Sequence, residues 1–539
     1  MDYKERSLFL EERIKRLNEI GIALSTESNS NKLFEMILEE ARHITHADGR
    51  TLYMKDADGN LEFEIMITDS KKTFMGGTSG VEIIIPSIPL EKNGEPNHSH
   101  VCAHVAITGN PSNIEDAYEN KEFDFSGTKT FDIGNDYRSK SFLTVPLKNH
   151  ENEIIGVMQL LNAKDESTGD TIPFSKEMET QIISLASQGA VALTNKRLVE
   201  ELKNLFESFI QLIATAIDKK SEYTGGHCER VPEITMMLAD AVENTKVGTY
   251  KDFVMSEDER YELYIAAWLH DCGKVATPVH VVDKSTKLET IYDRVENVQT
   301  RFEILKRDAE IHFLNTKSAL LEKGDVDGVK DAETKLNLQL AQFDDDLDFV
   351  EKSNVGGEFM QEKDQDRIRQ IGKYEWTYKG KTKPFLSELE VRNLTIAKGT
   401  LLPEEREIIN DHIVITIDML EKLPYPKNLR NVPEFAGGHH ERLDGKGYPK
   451  GLTGDQMSVQ AKMMAIADIY EALTASDRPY KDGKKLSHAM RIMGFMRNDY
   501  HIDEELFEIF VKEGVYKKYA NKYLPENLLD EVDEATLFT

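Results

Sequence analysis

Residues 439–449 read HHERLDGKGYP. Two adjacent imidazoles, an acid and a Gly-Tyr-Pro turn within so short a stretch are a costly combination for a surface loop, and a useful one for holding metal against a polar substrate. The stretch reads as half of a hydrolytic metal site. Outward from it, the same chemistry recurs on segments with helical apolar patterning: His227 in YTGGHCERV, His270-Asp271 in WLHDCGK, His412 in EEREIINDHI and Asp468 in AIADIYEAL. Any one of these histidines is ordinarily a satisfied core or surface side chain. Five imidazoles and two carboxylates within one helical region change that reading.

HDCGK, residues 270–274, is the most telling local piece. A helix ending at Gly273 presents two adjacent ligands, and one carboxylate can bridge two cations where an imidazole holds only one. Lys274 follows one turn on, placed to pair with phosphate. Read without its companions, the same pentapeptide is a helix terminus with a glycine cap.

As a set, HD, HHERLDGKGYP and ADIYEALTASDRPY (467–480) resemble the HD-GYP family, the branch of HD hydrolases associated with breaking down cyclic di-GMP. The likeness runs from about 210 to 288 and resumes from about 398 to 500. It implies that His227, His270, Asp271 and Asp468 hold one metal, and that His412, His439 and His440 hold a second, with Asp271 bridging. It also implies that Lys274 and Arg478 face phosphate oxygens, that Tyr448 shapes the substrate surface, and that Asp271 and Lys274 are catalytic. The expected cofactors are two divalent ions, with iron or manganese favoured and nickel or zinc compatible with the donors. The expected reaction is metal-assisted hydrolysis of cyclic di-GMP to pGpG, GMP or both. A cyclic GMP-AMP dinucleotide is the alternative substrate. A non-hydrolytic adaptor that binds a cyclic dinucleotide or a signalling partner is the alternative class. Two positions depart from the family pattern: Tyr223 stands where some members carry a glutamate for a third metal, and Ser221 where an aspartate is often found. The expectation is therefore two metals.

The N-terminal half reads differently. An apolar-periodic helix (LFEMILEEARHI, 33–44) leads into alternating segments at 50–54 and 61–67, broken by Asp58-Gly59, a hairpin signal. SFLTVPLKN (141–149) and IIGVMQLLNAKD (154–165) are two further strand-like runs, followed by a helix from about Ser175. DYRSKSFLTVPLKN, GVMQLLNAKD, FSKEMETQIISLASQGAVAL and AYENKEFDF resemble the GAF domain, a small-molecule sensor, over most of 30–195. Its ligand is not identified by these residues. Cys102 and His104 read either as heme or metal ligands or as packed side chains.

The expected architecture is multidomain: an α+β GAF sensor joined by a long helix to an all-α HD-GYP domain carrying an inserted helical hairpin. The expected divisions are an N-terminal helix (1–28), the GAF domain (29–195), a connecting coiled-coil-like helix (196–220), the HD-GYP domain (205–288 and 398–539), and an insertion (289–397). Leu198, Leu202, Leu205, Phe209 and Leu212 step by 4, 3, 4 and 3, which reads either as a short coiled-coil seam that would join two protomers into a homodimer or as one amphipathic helix packing on its own domain. In the insertion, Ile291, Val295, Val298, Phe302, Leu305 and Ala309 and then Leu336, Leu340, Phe343, Leu347 and Val350 read as two antiparallel helices around a turn at 322–328, with a small β-hairpin in YEWTYKGKTKPF.

Composition closes off other classes. A formal charge of −29 over 539 residues argues against binding a nucleic acid polymer, so positive charge for an anionic substrate must be concentrated at the site. Three widely spaced cysteines without a CxxC make a disulfide scaffold improbable. A charged N-terminus and the lack of any apolar run near about 18 residues point to the cytoplasm, with no membrane role.

Overall fold

The computed structural model describes residues 19–24, 26–27, 29–221, 226–357, 359–476 and 483–538. The chain divides into two compact units, one up to Leu205 and one from Phe206. Most of the N-terminal helix expected at 1–28, together with Tyr223 and Arg478, lies outside the described residues.

The first unit is built on an antiparallel sheet in the order Thr73–Gly76, Asn60–Thr68, Gly49–Lys55, Ile154–Leu161, Phe142–Lys148, Ser112–Ile114, with Ile88–Pro89 paired to the second strand. Asp58-Gly59 makes the turn it predicts: Gly59 has φ 84°, and the strands on either side pair antiparallel. Strand alternation sorts side chains to two faces. Leu143, Val145 and Leu147 pack with Met158 and Leu160 against the helices Ser30–Thr45 and Lys176–Lys220. Phe142 and Val157 point the other way, into Tyr53, Val105, Phe123 and Phe125. Cys102 and His104 belong to this second layer. Cys102 is buried there, its thiol pushed up to about 12 by burial. The His104 ring lies edge-on to Phe123, and its Nδ1 is 3.2 Å from His98 Nδ1. Among the described residues no third donor joins them as a metal cluster.

Lys176–Lys220 is one 45-residue helix whose first turns belong to the core of the first unit and whose last turns belong to the second. The seam leucines and Phe209 along its middle are 45–64% exposed.

The second unit is helical. Its core joins Val231, Ile234 and Leu238 of the helix His227–Asn244, Leu263 and Ala266 of Glu257–Leu269, Met463, Met464 and Ala467 of Val459–Thr474, and Phe507 and Phe510 of Glu504–Lys512. Caps fix where these helices begin: Ser256 and Glu259 form a capping box, and Ser458 accepts from the Ala461 N–H. The insertion is a helical hairpin, Val295–Glu322 and Val326–Asn354, followed by the β-hairpin Glu375–Tyr378 and Lys381–Pro384. Ile291 does not extend the seam. It is 93% exposed, in a loop where the Glu289 carboxylate accepts from Ser285 and Thr286, and the helix starts at Val295. The hairpin's root packs Val298, Phe302, Phe343 and Val350 around Phe385 and Leu394. No described helix is long and apolar enough to cross a membrane.

Candidate metal centre

Five separate stretches of the second unit converge on one buried point. His227 opens the helix His227–Asn244, after Gly226 at φ 77°. His270 and Asp271 follow the helix Glu257–Leu269, which ends at Leu269 and not at Gly273. Asp271 (φ −107°) turns the chain into a 3-10 helix, Cys272–Ala276. Gly273 is therefore not a left-handed cap. Its role is close approach: a Cβ there would sit 1.9 Å from the His412 carbonyl oxygen and 2.6 Å from the Thr416 nitrogen. With no side chain in the way, Gly273 N–H donates to Thr416 Oγ1 at 2.9 Å, and the HD turn lies directly on the helix Pro403–Leu420 that carries His412. His439 and His440 follow the short helix Val432–Gly437, and Asp468 comes from Val459–Thr474.

His227, His270, Asp271, His412 and His439 are buried, and Asp468 is 13% exposed. Three of the imidazoles are held in one tautomer by the same device. The Nδ1–H groups of His270, His412 and His439 donate to the carbonyls of Ala267, Ile409 and Ala436, each three residues back, at 2.7, 2.5 and 2.6 Å. Each ring therefore turns an Nε2 lone pair inward. His227 reaches the same end through a carboxylate, with Nδ1 bonded to Glu471, which also accepts from Arg230 at 2.6 Å. His227 Nε2 then lies 3.2 Å from His270 Nε2, 3.1 Å from Asp271 Oδ2 and 3.2 Å from Asp468 Oδ1. On the far side of Asp271, His412 Nε2 is 3.2 Å from Oδ1, and His439 and His440 complete a trio with His412.

Nitrogen lone pairs and carboxylate oxygens crowded together repel unless a proton or a cation sits among them. Asp271 Oδ1, His412 Nε2 and His439 Nε2 are buried without a hydrogen-bond partner, an arrangement that is costly in a finished core and natural for metal ligands. Three overlapping donor groups could each hold an ion: His227, His270 and Asp468; His270, Asp271 and His439; His412, His439 and His440. The residues fit a metal centre.

The electrostatics divide the site. Burial disfavours charge on Asp271, but Lys274 and His270 outweigh it and hold its carboxyl well below the usual range. Burial likewise opposes the ionised form of Asp468, and hydrogen bonds from His227 and His270 prevail. Burial would neutralise His227, yet Glu471 carries it well above its ordinary value. His270 rises to about 9 against burial because Asp271 adjoins it. His439 and His440 go the other way. Burial, reinforced by neighbouring imidazoles, keeps His439 far below its usual value and takes His440 to about 4, so both are neutral donors at pH 7.

Lys274 donates to Asp271 Oδ2 at 2.5 Å. Tyr448 stacks on His440, with ring centroids 4.9 Å apart and planes 19° from parallel. The loop folds back because Glu441, 1% exposed, accepts from the Lys450 and Leu452 N–H groups at 2.7 and 2.9 Å, and because Gly447 lies where a Cβ would come 2.3 Å from the Arg442 nitrogen. Ser221 bonds Asp283. Glu471 is the residue that motif reading passes over. Its signal was its place three positions after Asp468, on the same helix face. A groove of about 1020 Å³ lies in the first unit, lined in part by Met54, Asn149, Ile155 and Arg197, well away in sequence from these groups.

Two family models match stretches of the chain. The GAF domain family model matches residues 29–193, and the HD domain family model matches 389–506. The chain carries a GAF domain followed by an HD domain. The HD match covers His412, His439, His440 and Asp468, while His227, His270 and Asp271 precede it. More particularly, the chain is 42% identical over 83 residues to a 3'3'-cGAMP-specific phosphodiesterase of Vibrio cholerae, covering 15% of this chain and 19% of that protein. It is 48% identical over 79 residues to a cyclic di-GMP phosphodiesterase of Pseudomonas aeruginosa, covering 14% and 18%. It is 35% identical over 119 residues to a cyclic di-GMP phosphodiesterase of Thermotoga maritima, covering 22% and 32%. The matched stretch spans less than a third of each of these relatives.

Proposed function

We propose that the chain is a metal-dependent phosphodiesterase that hydrolyses cyclic di-GMP to pGpG, GMP or both, under the control of its GAF domain. The observation that carries this reading is the convergence of seven donor side chains, three of which, Asp271, His412 and His439, leave a buried inward atom without a partner, in a chain similar to named cyclic dinucleotide phosphodiesterases. In this reading His227, His270, Asp271 and Asp468 hold one divalent ion, and His412, His439 and His440, with Asp271 shared, hold a second. Iron or manganese suits the donors best, and nickel and zinc remain compatible. Bound there, the ions supply Lewis acidity, activating water and neutralising charge on the phosphodiester.

The chain's own residues do the rest. The three Ala267, Ile409 and Ala436 carbonyls and the Glu471 carboxylate orient the imidazoles before any ligand arrives. Asp271 presents one oxygen to each side. Lys274 contributes a cation beside it for a phosphate oxygen, Tyr448 presents a ring against His440 where substrate enters, and Arg478 is assigned a second phosphate contact. The exposed seam on the Lys176–Lys220 helix supports a homodimer, and three buried unpaired cysteines support a reducing, cytoplasmic setting.

The Vibrio cholerae relative favours a second reading of the substrate, a cyclic GMP-AMP dinucleotide, with the same site. Elemental analysis of the purified protein, coupled to product chromatography with cyclic di-GMP and 3'3'-cGAMP, tests both. Two equivalents of metal and release of pGpG or GMP are expected. A metal-loaded protein that binds a cyclic dinucleotide for hours without product would replace the enzyme with a binding adaptor.

A further inference from the structure

The long helix Lys176–Lys220 contributes no donor to the metal centre, yet its last turn is fastened to two of the turns that do. The Asp218 side chain is buried, and its Oδ2 accepts from the Cys228 N–H at 3.1 Å. Cys228 is the second residue of the helix that His227 opens, and the N-cap position there is Gly226, which makes no side-chain cap. A helix start leaves N–H groups without intrahelical partners and carries partial positive charge, so a carboxylate delivered from another helix acts as the missing cap. Two residues on, Lys220 Nζ donates to three carbonyls of the segment that follows Asp271: Lys274 at 3.1 Å, Val275 at 2.5 Å and Thr277 at 2.7 Å. An ammonium has three protons, and all three are engaged at the C-terminal end of the 3-10 helix Cys272–Ala276, where carbonyls carry negative charge. The backbone of Lys274 is thus held by Lys220, and the Lys274 side chain in turn holds Asp271.

We infer that Asp218 and Lys220 are positioning residues for the metal centre, setting the approach of His227 and of Asp271 from the end of the long helix. The inference rests on the metal-site reading above. It makes the last turn of that helix the place where a movement along it changes metal affinity, before any change in substrate contacts. Neither residue belongs to the donor groups that could hold an ion.

Titration of the full chain with Mn²⁺ alone, read by calorimetry against a competing chelator, tests this. Lys220→Met and Asp218→Leu are expected to weaken Mn²⁺ binding by about tenfold, the range for losing an outer support of a metal ligand. Lys220→Arg and Asp218→Asn, which retain a donor and an acceptor, are expected to recover part of it. With cyclic di-GMP, the variants should lose kcat at limiting Mn²⁺, regain it at excess Mn²⁺, and keep the parent KM. Folded variants that bind Mn²⁺ as tightly as the parent, or that lose turnover no Mn²⁺ restores, would overturn the inference while leaving the metal site standing. A parent chain that takes up no Mn²⁺ would bring down the metal-site reading itself.

Discussion

Two of the buried polar clusters among the described residues of the second unit are finished differently. At the root of the insertion, Lys284 Nζ donates to Asn393 Oδ1 and to both Glu405 oxygens, each at 2.8 Å. Lys287, 2% exposed, donates to the Leu394 and Ile396 carbonyls at 3.1 and 2.7 Å. Arg301 forks onto Glu390, and Asn354 accepts from the Leu288 N–H while donating to Asp293. No side-chain atom of this cluster is among the buried, unpartnered ones. At the candidate metal centre Asp271, His412 and His439 all leave such an atom. A satisfied cluster holds a fold together. One left open at several atoms pointing to one place is prepared for something that is not protein.

The contrast can be broken from either side. The largest effect is expected at Asp271, the one carboxylate facing both donor groups. Asp271→Ala should reduce turnover of cyclic di-GMP by far more than the roughly 10–100-fold of an outer-shell loss, and kinetics at saturating Mn²⁺ that match the parent would remove Asp271 from the site. Next comes Lys284→Met, which strands a buried polar pair. It should cost about 3 kcal/mol of stability in denaturant melts and leave kcat per folded molecule unchanged, since this cluster serves the fold. Glu471→Gln should weaken Mn²⁺ binding about tenfold with little change in melting temperature in the absence of metal. A large loss of stability and intact metal affinity would move Glu471 to the structural class.

A pH-dependent effect is expected at Lys287, whose pKa burial lowers from 10.5 to about 8. Its folded-state pKa lies below the unfolded one, so between about pH 8 and 10.5 the unfolded chain binds more protons and stability rises with pH. The charged form is the unfavourable one in the fold. Lys287→Met should therefore gain most relative to the parent near pH 7, and the difference in melting temperature should shrink as pH rises from 8 to 10.5. A difference independent of pH would show that burial does not shift this lysine.

Much of this was legible in the residues. The strand-like runs at 141–149 and 154–165 gave the central strands, Asp58-Gly59 gave their neighbouring hairpin turn, and heptad spacing gave the inserted helices. Each is a local signal, a period or a turn preference acting over a few residues. Ile291 shows the limit. It continues the seven-residue period, but the period does not say where a helix starts, and the hydrogen bonds of Glu289 hold that stretch in a loop. Gly273 shows another. A glycine after a helical run reads as a cap, while the space it needs belongs to His412 and Thr416, some 140 positions away in the chain.

The sequence by itself determined the order of domains and the inventory of donors in HD, HHERLDGKGYP and AIADIYEAL, because these are runs of neighbouring residues whose chemistry can be named without coordinates. Only the tertiary structure decided which imidazole nitrogens face inward, that Glu471 braces His227 from 244 residues away, and that Asp218 and Lys220 tie the long helix to the ligand turns. Those are relations between atoms on different helices. They are fixed by how the helices pack into one core, and no local pattern encodes them.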